Sequence, residues 1–263
     1  MTQPKETKHI STDIDSEFEA QISLPKLIGH RHAVQAAQAY IESYYADLSS
    51  GRNPRLNPIL LIGNSGGRTM ARAIHNSFAG LEFRVASALW MNSKLQEINY
   101  FFSQGDQHTT YYIVDADRMD SAVQYGLFNI LYEKQISIFN MEEQTKVEFQ
   151  NRLIILSAPK LPSFNTLLMG RIGLKLNLGK LSKTEVEAVI KQRLSFLNWP
   201  YNSDKVIEIV AQQGLNDVGK ALDVLALSYS IMRSQGHDCM TEEFVSQAAH
   251  IVSENVRAGS RLP

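Results

Sequence analysis

The richest chemical signal in this sequence is a cluster of glycines behind a short apolar run. Ile59-Leu60-Leu61-Ile62 leads into Gly63-Asn64-Ser65-Gly66-Gly67-Arg68-Thr69, and a helical pattern follows from Met70 to Phe78. Strand, glycine-rich turn and helix in this order make a phosphate-binding loop. Its glycines let backbone N–H groups approach phosphate oxygens, a lysine reaches the β and γ phosphates, and a hydroxyl holds magnesium. Measured against the pattern GxxxxGK followed by Ser or Thr, the loop is one residue short if it starts at Gly63. Keeping the full length instead places Ile62 at the first glycine. In both registers Arg68 stands at the lysine position and Thr69 keeps the hydroxyl. Arginine is forked and bulkier than lysine, so the exchange is not conservative in a tight cradle. The same glycines also suit a plain strand-to-helix turn.

A second candidate lies further along. The apolar run Tyr111 to Val114 ends in Asp115, the place for a magnesium-holding aspartate at the end of a buried strand. Thr69 and Asp115 are therefore the candidate magnesium ligands if a nucleotide, ATP or ADP, binds. Asp115 and Asp117 would equally serve as caps for the helix that starts at Asp120 or Ser121. The histidines show no metal-ligand spacing: His30 and His32 lie two apart at a helix start and read as solvent-exposed.

These residues need a scaffold, and the surrounding periodicity describes one. Val34, Ala37, Ile41, Tyr44 and Leu48 form one helical face that Gly51 and Asn53-Pro54 terminate. The short runs Phe83 to Ala86, Tyr111 to Val114 and Leu153 to Leu156 are continuously apolar, as in parallel strands covered on both faces. Helical stretches separate them, which predicts an α/β fold with a five-stranded parallel sheet. Between Gln135 and Phe149, Ile136, Ile138, Val147 and Phe149 alternate with polar residues around MEEQT, predicting a small hairpin. After Leu178 the period changes to four helical patterns, Lys183 to Leu197, Asp204 to Gln213, Asp217 to Arg233 and Thr241 to Glu254, with Gly214 and Gly236 at C-cap positions. The expected organisation is a flexible tail over 1–20, an α/β domain over 21–180 and a small C-terminal helical lid over 181–256.

Bulk properties agree with a soluble globular protein. The chain has 263 residues, 44% hydrophobic and 20% charged, with a net charge of -1, so no global charge draws it to nucleic acid. One cysteine, Cys239, cannot form an internal disulfide, which points to a reducing compartment, the cytoplasm. No apolar run reaches membrane-spanning length.

The order of the motifs resembles the AAA+ P-loop ATPases of the RuvB type. The segment LPKLIGHRHAVQAAQAYI, Leu24 to Ile41, is similar to the family's entry motif, which packs near the adenine and implicates Ile28. ILLIGNSGGRTMARAI, YYIVDADRMDSAVQYGLFNILYE and RLIILSAPK resemble Walker A, Walker B and sensor 1 in their proper order. LLMGRIGLKLNLGKLSKTEVEAVIKQRL resembles the arginine-finger region and the entry to the lid. The resemblance covers roughly residues 24 to 252 and implies a nucleotide site that includes Gly63 to Thr69, Asp115, Ser157 or Ala158 at sensor 1, and Lys220 near sensor 2.

The departures bear on activity. Active members carry a glutamate after the Walker B aspartate, and here Ala116 takes its place. Met169 falls at the arginine finger, with Arg171 matching a second arginine two residues on, and Asp217 falls at sensor 2. One lost charge-stabilising group typically costs about 10² to 10³ in rate and a finger about 10³ to 10⁵. The resemblance with these losses implies a non-hydrolysing module that works through protein contacts, as a subunit, adaptor or regulator in a AAA+ oligomer or DNA-processing complex. The alternative is a divergent DNA-dependent ATPase of RuvB or clamp-loader type. Candidate partner surfaces are the hairpin, through Ile138 and Val147, and the aromatic cluster Tyr100, Phe101 and Phe102. Tyr40, Tyr44 and Tyr45 make a second aromatic cluster of the kind that stacks on bases, and core packing explains most of these aromatics.

Overall fold

The computed structural model describes residues 17–259 except 55, 79–81, 93–94, 107, 140–143, 150 and 215–216. Two compact units result, one spanning Ile22–Gly179 and the other joining the segment up to Gln21 to the chain from Lys180 onward.

In the first unit, β1 (Ile59–Ile62), β2 (Phe83–Ser87), β3 (Thr110–Val114), β6 (Leu153–Ala158) and β7 (Leu174–Asn177) form a sheet in the order β2-β3-β6-β1-β7. Every pairing is parallel, with Leu60 opposite Leu156 and Leu156 opposite Ile113. Leu60, Ile113 and Leu156 are fully buried, which is why these strands read as unbroken apolar runs. The fifth strand, β7, behaves differently: as an edge it buries Leu176 and exposes Lys175 and Asn177. A separate antiparallel hairpin pairs β4 (Gln135–Phe139) with β5 (Gln144–Glu148).

Helices precede and connect these strands. They are α1 (Arg31–Ser49), α2 (Gly67–Ser77), α3 (Ala88–Met91), α4 (Leu95–Ser103) and α5 (Ser121–Glu133), and the single-turn α6 (Thr166–Met169) precedes β7. On α1, Ala33, Ala37 and Ile41 form the buried stripe. The Asp120 carboxylate accepts from the Val123 N–H at 2.8 Å and starts α5. That is the capping role the sequence offered to Asp115 and Asp117, and Asp120 performs it instead.

Beneath β3 an aromatic knot ties α4 to the sheet. Phe102, fully buried, lies 4.9 Å from the Tyr111 ring and 5.7 Å from Phe149. Arg152 closes the knot, donating from Nη1 to the Phe102 carbonyl at 2.6 Å and from Nη2 to the Gly105 carbonyl at 3.3 Å. The Tyr111 hydroxyl donates to the carbonyls of Phe102 and Gln104. Burial raises the Tyr111 phenol above its ordinary value, while Arg152 pulls it back.

His75 on α2 is buried and hydrogen-bonded through Nδ1 to the Thr110 Oγ1 at 2.9 Å. Burial, reinforced by the nearby Arg72 guanidinium, lowers its pKa from 6.5 to about 4. The folded protein therefore keeps His75 neutral over a range in which the unfolded chain takes up a proton. The stabilisation is complete above pH 6.5 and is lost as pH falls toward 4, on the order of 3 kcal/mol in all. Urea unfolding at pH 7.5 and pH 4.5 is expected to show this loss in the native chain and a smaller one in His75→Phe.

The second unit contains α7 (Lys183–Leu197), α8 (Asp204–Gln213), α9 (Val218–Ser234) and α10 (Glu242–Gly259). Ser182 and Glu185 make a reciprocal capping box at the start of α7. Val186, Ile190, Val206, Val210, Val224 and Val245 are buried in a common core, and Trp199 stacks on Tyr229 with centroids 3.9 Å apart. Gly236, past the end of α9, has φ of 76°, as its C-cap reading requires. Residues 17–21, placed by sequence mostly in a loose tail, are helical. Phe18 is buried edge-on to Phe196 and under the Arg193 guanidinium at 3.3 Å from its ring centroid. A single aromatic anchor carries no periodicity, which is why the segment gave no signal. Among the described residues no helix is long and apolar enough to cross a membrane.

Candidate functional site

The glycine-rich loop sits where strands β1, β6 and β7 end. Gly66 adopts φ of 77° and caps α2, and Gly67 is the first helical residue. The Gly63 N–H donates to the Ala158 carbonyl at 2.9 Å, and the Leu178 N–H donates to the Ile62 carbonyl at 2.7 Å. Main chain from three strand ends thus converges on the start of the loop. A Cβ on Gly63 would strike the Leu178 carbonyl, one on Gly66 would lie 3.0 Å from the His30 Nε2, and one on Gly67 would lie 3.3 Å from the Tyr112 hydroxyl. Each of these glycines has a packing reason to be glycine.

His30 arrives from the entry segment. Gly29 and His30 have φ of 78° and 50°, a double left-handed bend that opens α1 and brings the imidazole against Gly66. Ile28, two residues earlier, is half-buried. Under the loop, the Tyr112 hydroxyl and the Ser157 hydroxyl lie 2.9 Å apart, and a Cβ on Gly67 would sit 3.7 Å from the Ser157 Cβ. Ser157, one of the two residues expected at sensor 1, is therefore beside the loop, with its hydroxyl engaged by a tyrosine. Tyr112 and Leu178 were absent from the sequence expectation, and His30, expected to be solvent-exposed, is half-buried against Gly66 whereas His32 is exposed. A tyrosine in a fully buried strand needs a partner for its hydroxyl, and that was the available signal for Tyr112.

The groups at the loop mouth are of mixed character. Asn64 and Arg68 are exposed, and Ser65 and Thr69 are half-buried. Asp115 follows β3 with φ of 55° and forms no side-chain cap, so capping does not account for its carboxylate. Ala116, directly after it, is fully buried, and Asp117 has a buried Oδ1 without a hydrogen-bond partner. Thr69, half-buried on the first turn of α2, and Asp115, just past the end of β3, supply a hydroxyl and a carboxylate, the group types expected of magnesium ligands. Ala116, where the sequence resemblance expects a glutamate, is a methyl group sealed in the core.

Met169 ends α6, and Arg171 follows it at the opposite edge of the sheet, its guanidinium 5.2 Å from the Tyr132 centroid and 5.7 Å from that of Phe128. Lys220 is exposed on α9 of the helical unit, where Asp217 acts as N-cap, accepting from the Gly219 N–H at 3.0 Å. The aromatic cluster is corrected in part: Tyr100 is 61% exposed, Phe101 is half-buried, and Phe102 belongs to the core. Three consecutive helical residues point in three directions, so they cannot share one surface. In the hairpin, Ile136 is fully buried and Val147 packs against the α/β core, which places Val147 on the inner face and corrects its reading as a docking residue. The side chain of Ile138 and the tip 140–143 lie outside the described residues. Among the described residues no group of three or more His, Cys, Asp or Glu could hold a metal by itself.

No protein-family model and no curated protein matches the sequence. Solved structures do. The chain is similar to the RuvB Holliday junction branch migration motor of Thermotoga maritima, at 17% identity and a TM-score of 0.69, over 89% of this chain and 73% of that one. A mutant form of the same RuvB reaches 18% and 0.71 over the same shares. The ORC2 protein of Aeropyrum pernix, solved as ADPNP-ADP complexes, gives 16% and 0.64 over 89% and 70%. At these identities the likeness is one of architecture: the chain has a RuvB-like AAA+ P-loop fold.

Proposed function

We propose that this chain is a non-hydrolysing AAA+ module that acts as a subunit, adaptor or regulator through protein contacts, with nucleotide binding weak or absent. The observation that carries the proposal is Ala116. It directly follows the candidate magnesium ligand Asp115 and is 0% exposed, so no side chain at that position can polarise a water molecule. Arg68 at the lysine position and Met169 at the finger position act in the same direction. The proposed partner is a protein, within a AAA+ oligomer or a DNA-processing complex.

The retained Thr69 hydroxyl and the uncapping Asp115 carboxylate favour a second reading, a divergent ATP-binding and DNA-dependent ATPase. Steady-state hydrolysis with and without duplex and branched DNA separates the two. The proposal expects the wild-type rate to equal that of Asp115→Ala under every condition. Turnover of about one per second, an ordinary enzyme rate, that disappears in Asp115→Ala would establish the second reading.

A further inference from the structure

A cavity of about 90 Å³ opens at the edge of the sheet where the strands begin, opposite the glycine-rich loop. Its wall includes three cations from three chain segments. Lys134 caps the end of α5, Arg152 opens the approach to β6, and Arg171 precedes β7. Asn53 and Asn57 from the loop before β1 and Asn151 add amide groups, and among the described residues no aspartate or glutamate lines the cavity. Among the described residues, none of the three cations is in an ion pair. Arg152 spends its Nη atoms on carbonyls and leaves a buried Nε without a partner, and Arg171 lies over the rings of Phe128 and Tyr132.

Three positive charges around one small concavity, with no acidic residue among its described lining, make a local field that favours an anion. Stability alone would be served by one acidic side chain, and among the described lining residues there is none. Arg152 is already fixed by its carbonyl contacts, and the ring pair under Arg171 holds a second guanidinium in place, so two of the three cations are positioned in advance. The charge count favours a dianion over a carboxylate. A phosphate carries between about one and two negative charges at neutral pH and several strong acceptor oxygens, which the asparagine amides can also serve.

We propose that this cavity is a phosphate-binding site, distinct from the glycine-rich loop, that takes a phosphate ion or the terminal phosphate of a small phosphorylated molecule. Its occupant neutralises the start edge of the sheet, between the loop before β1 and the approach to β7. The site does not depend on whether the chain hydrolyses ATP.

The test is thermal melting of the full chain against inorganic phosphate and against ribose 5-phosphate, each compared with chloride at matched ionic strength. Phosphate is expected to raise the midpoint beyond chloride in the wild type. In Lys134→Gln and in Arg171→Gln, each referred to its own unliganded midpoint, the apparent affinity falls about ten-fold or more, the usual consequence of losing one charge-assisted contact. Lys134→Gln leaves the Arg171 ring contacts in place and guards against a folding defect in the other variant. Arg68→Gln, at the glycine-rich loop, keeps the shift. A response to the free ion alone identifies inorganic phosphate as ligand, and a stronger response to ribose 5-phosphate identifies a phosphomonoester. No shift beyond chloride, equal shifts in the wild type and both cavity variants, or loss of the shift in Arg68→Gln alone would each overturn the proposal.

Discussion

Gly63→Ala is expected to destabilise the α/β unit by about 3 kcal/mol, and to do so equally with and without ATP. The added methyl group meets the Leu178 carbonyl, a main-chain atom that cannot rotate away, at a residue whose φ of 154° already disfavours a side chain. Relief requires β1 and the residue after β7 to separate, which strains or breaks the bond from the Leu178 N–H to the Ile62 carbonyl and the bond from the Gly63 N–H to the Ala158 carbonyl. Two weakened backbone bonds and a displaced strand end together reach that magnitude. A glycine present only for phosphate would behave differently, because its replacement would weaken nucleotide binding and leave the unliganded melt unchanged. Chemical denaturation of the two proteins in parallel decides between these outcomes.

Phe102→Ala is expected to cost about 3–5 kcal/mol, the range for emptying a buried phenylalanine site. Its ring packs on Tyr111 and Phe149, and its carbonyl anchors Arg152 and the Tyr111 hydroxyl, so the truncation also loosens the one buried cation of the knot. Tyr100→Ala, two residues away and 61% exposed, is expected to change stability by no more than about 0.5 kcal/mol. The contrast separates a core residue from a surface one within a single helix. Equal, small effects at both positions would contradict the packing described for α4.

The architecture was legible because most of its elements are strongly periodic. The buried runs at Ile59, Tyr111 and Leu153 became neighbouring parallel strands, and of the four helical patterns after Leu178 three appeared within one residue of their expected bounds while the last runs on from Glu254 to Gly259. The strand Leu174–Asn177 was harder to see. It lies at an edge, half in solvent, and alternates instead of forming an apolar run. The candidate site was legible only as a linear motif. Nothing in GNSGGRT announces that Leu178, more than a hundred positions downstream, crosses over its first glycine, or that His30 and Tyr112 close on the next two. Such contacts depend on how strand ends meet in space. For the same reason the aromatic triplet at Tyr100 misled: its composition suggested a patch, and helical geometry turned Phe102 inward.

The central claim, that the chain does not hydrolyse ATP, is most directly tested by the chemical state of nucleotide recovered from the protein. Incubated with excess ATP and magnesium, desalted and denatured, the protein fraction is analysed for ATP and ADP by mass spectrometry alongside Asp115→Ala. This reads a single turnover and is independent of product release. The account predicts that whatever nucleotide is recovered is ATP, with no more ADP than the variant contains. ADP accumulating in the wild-type fraction over time, and absent from Asp115→Ala, would contradict it and assign a hydrolytic role to the loop despite Arg68 and Ala116.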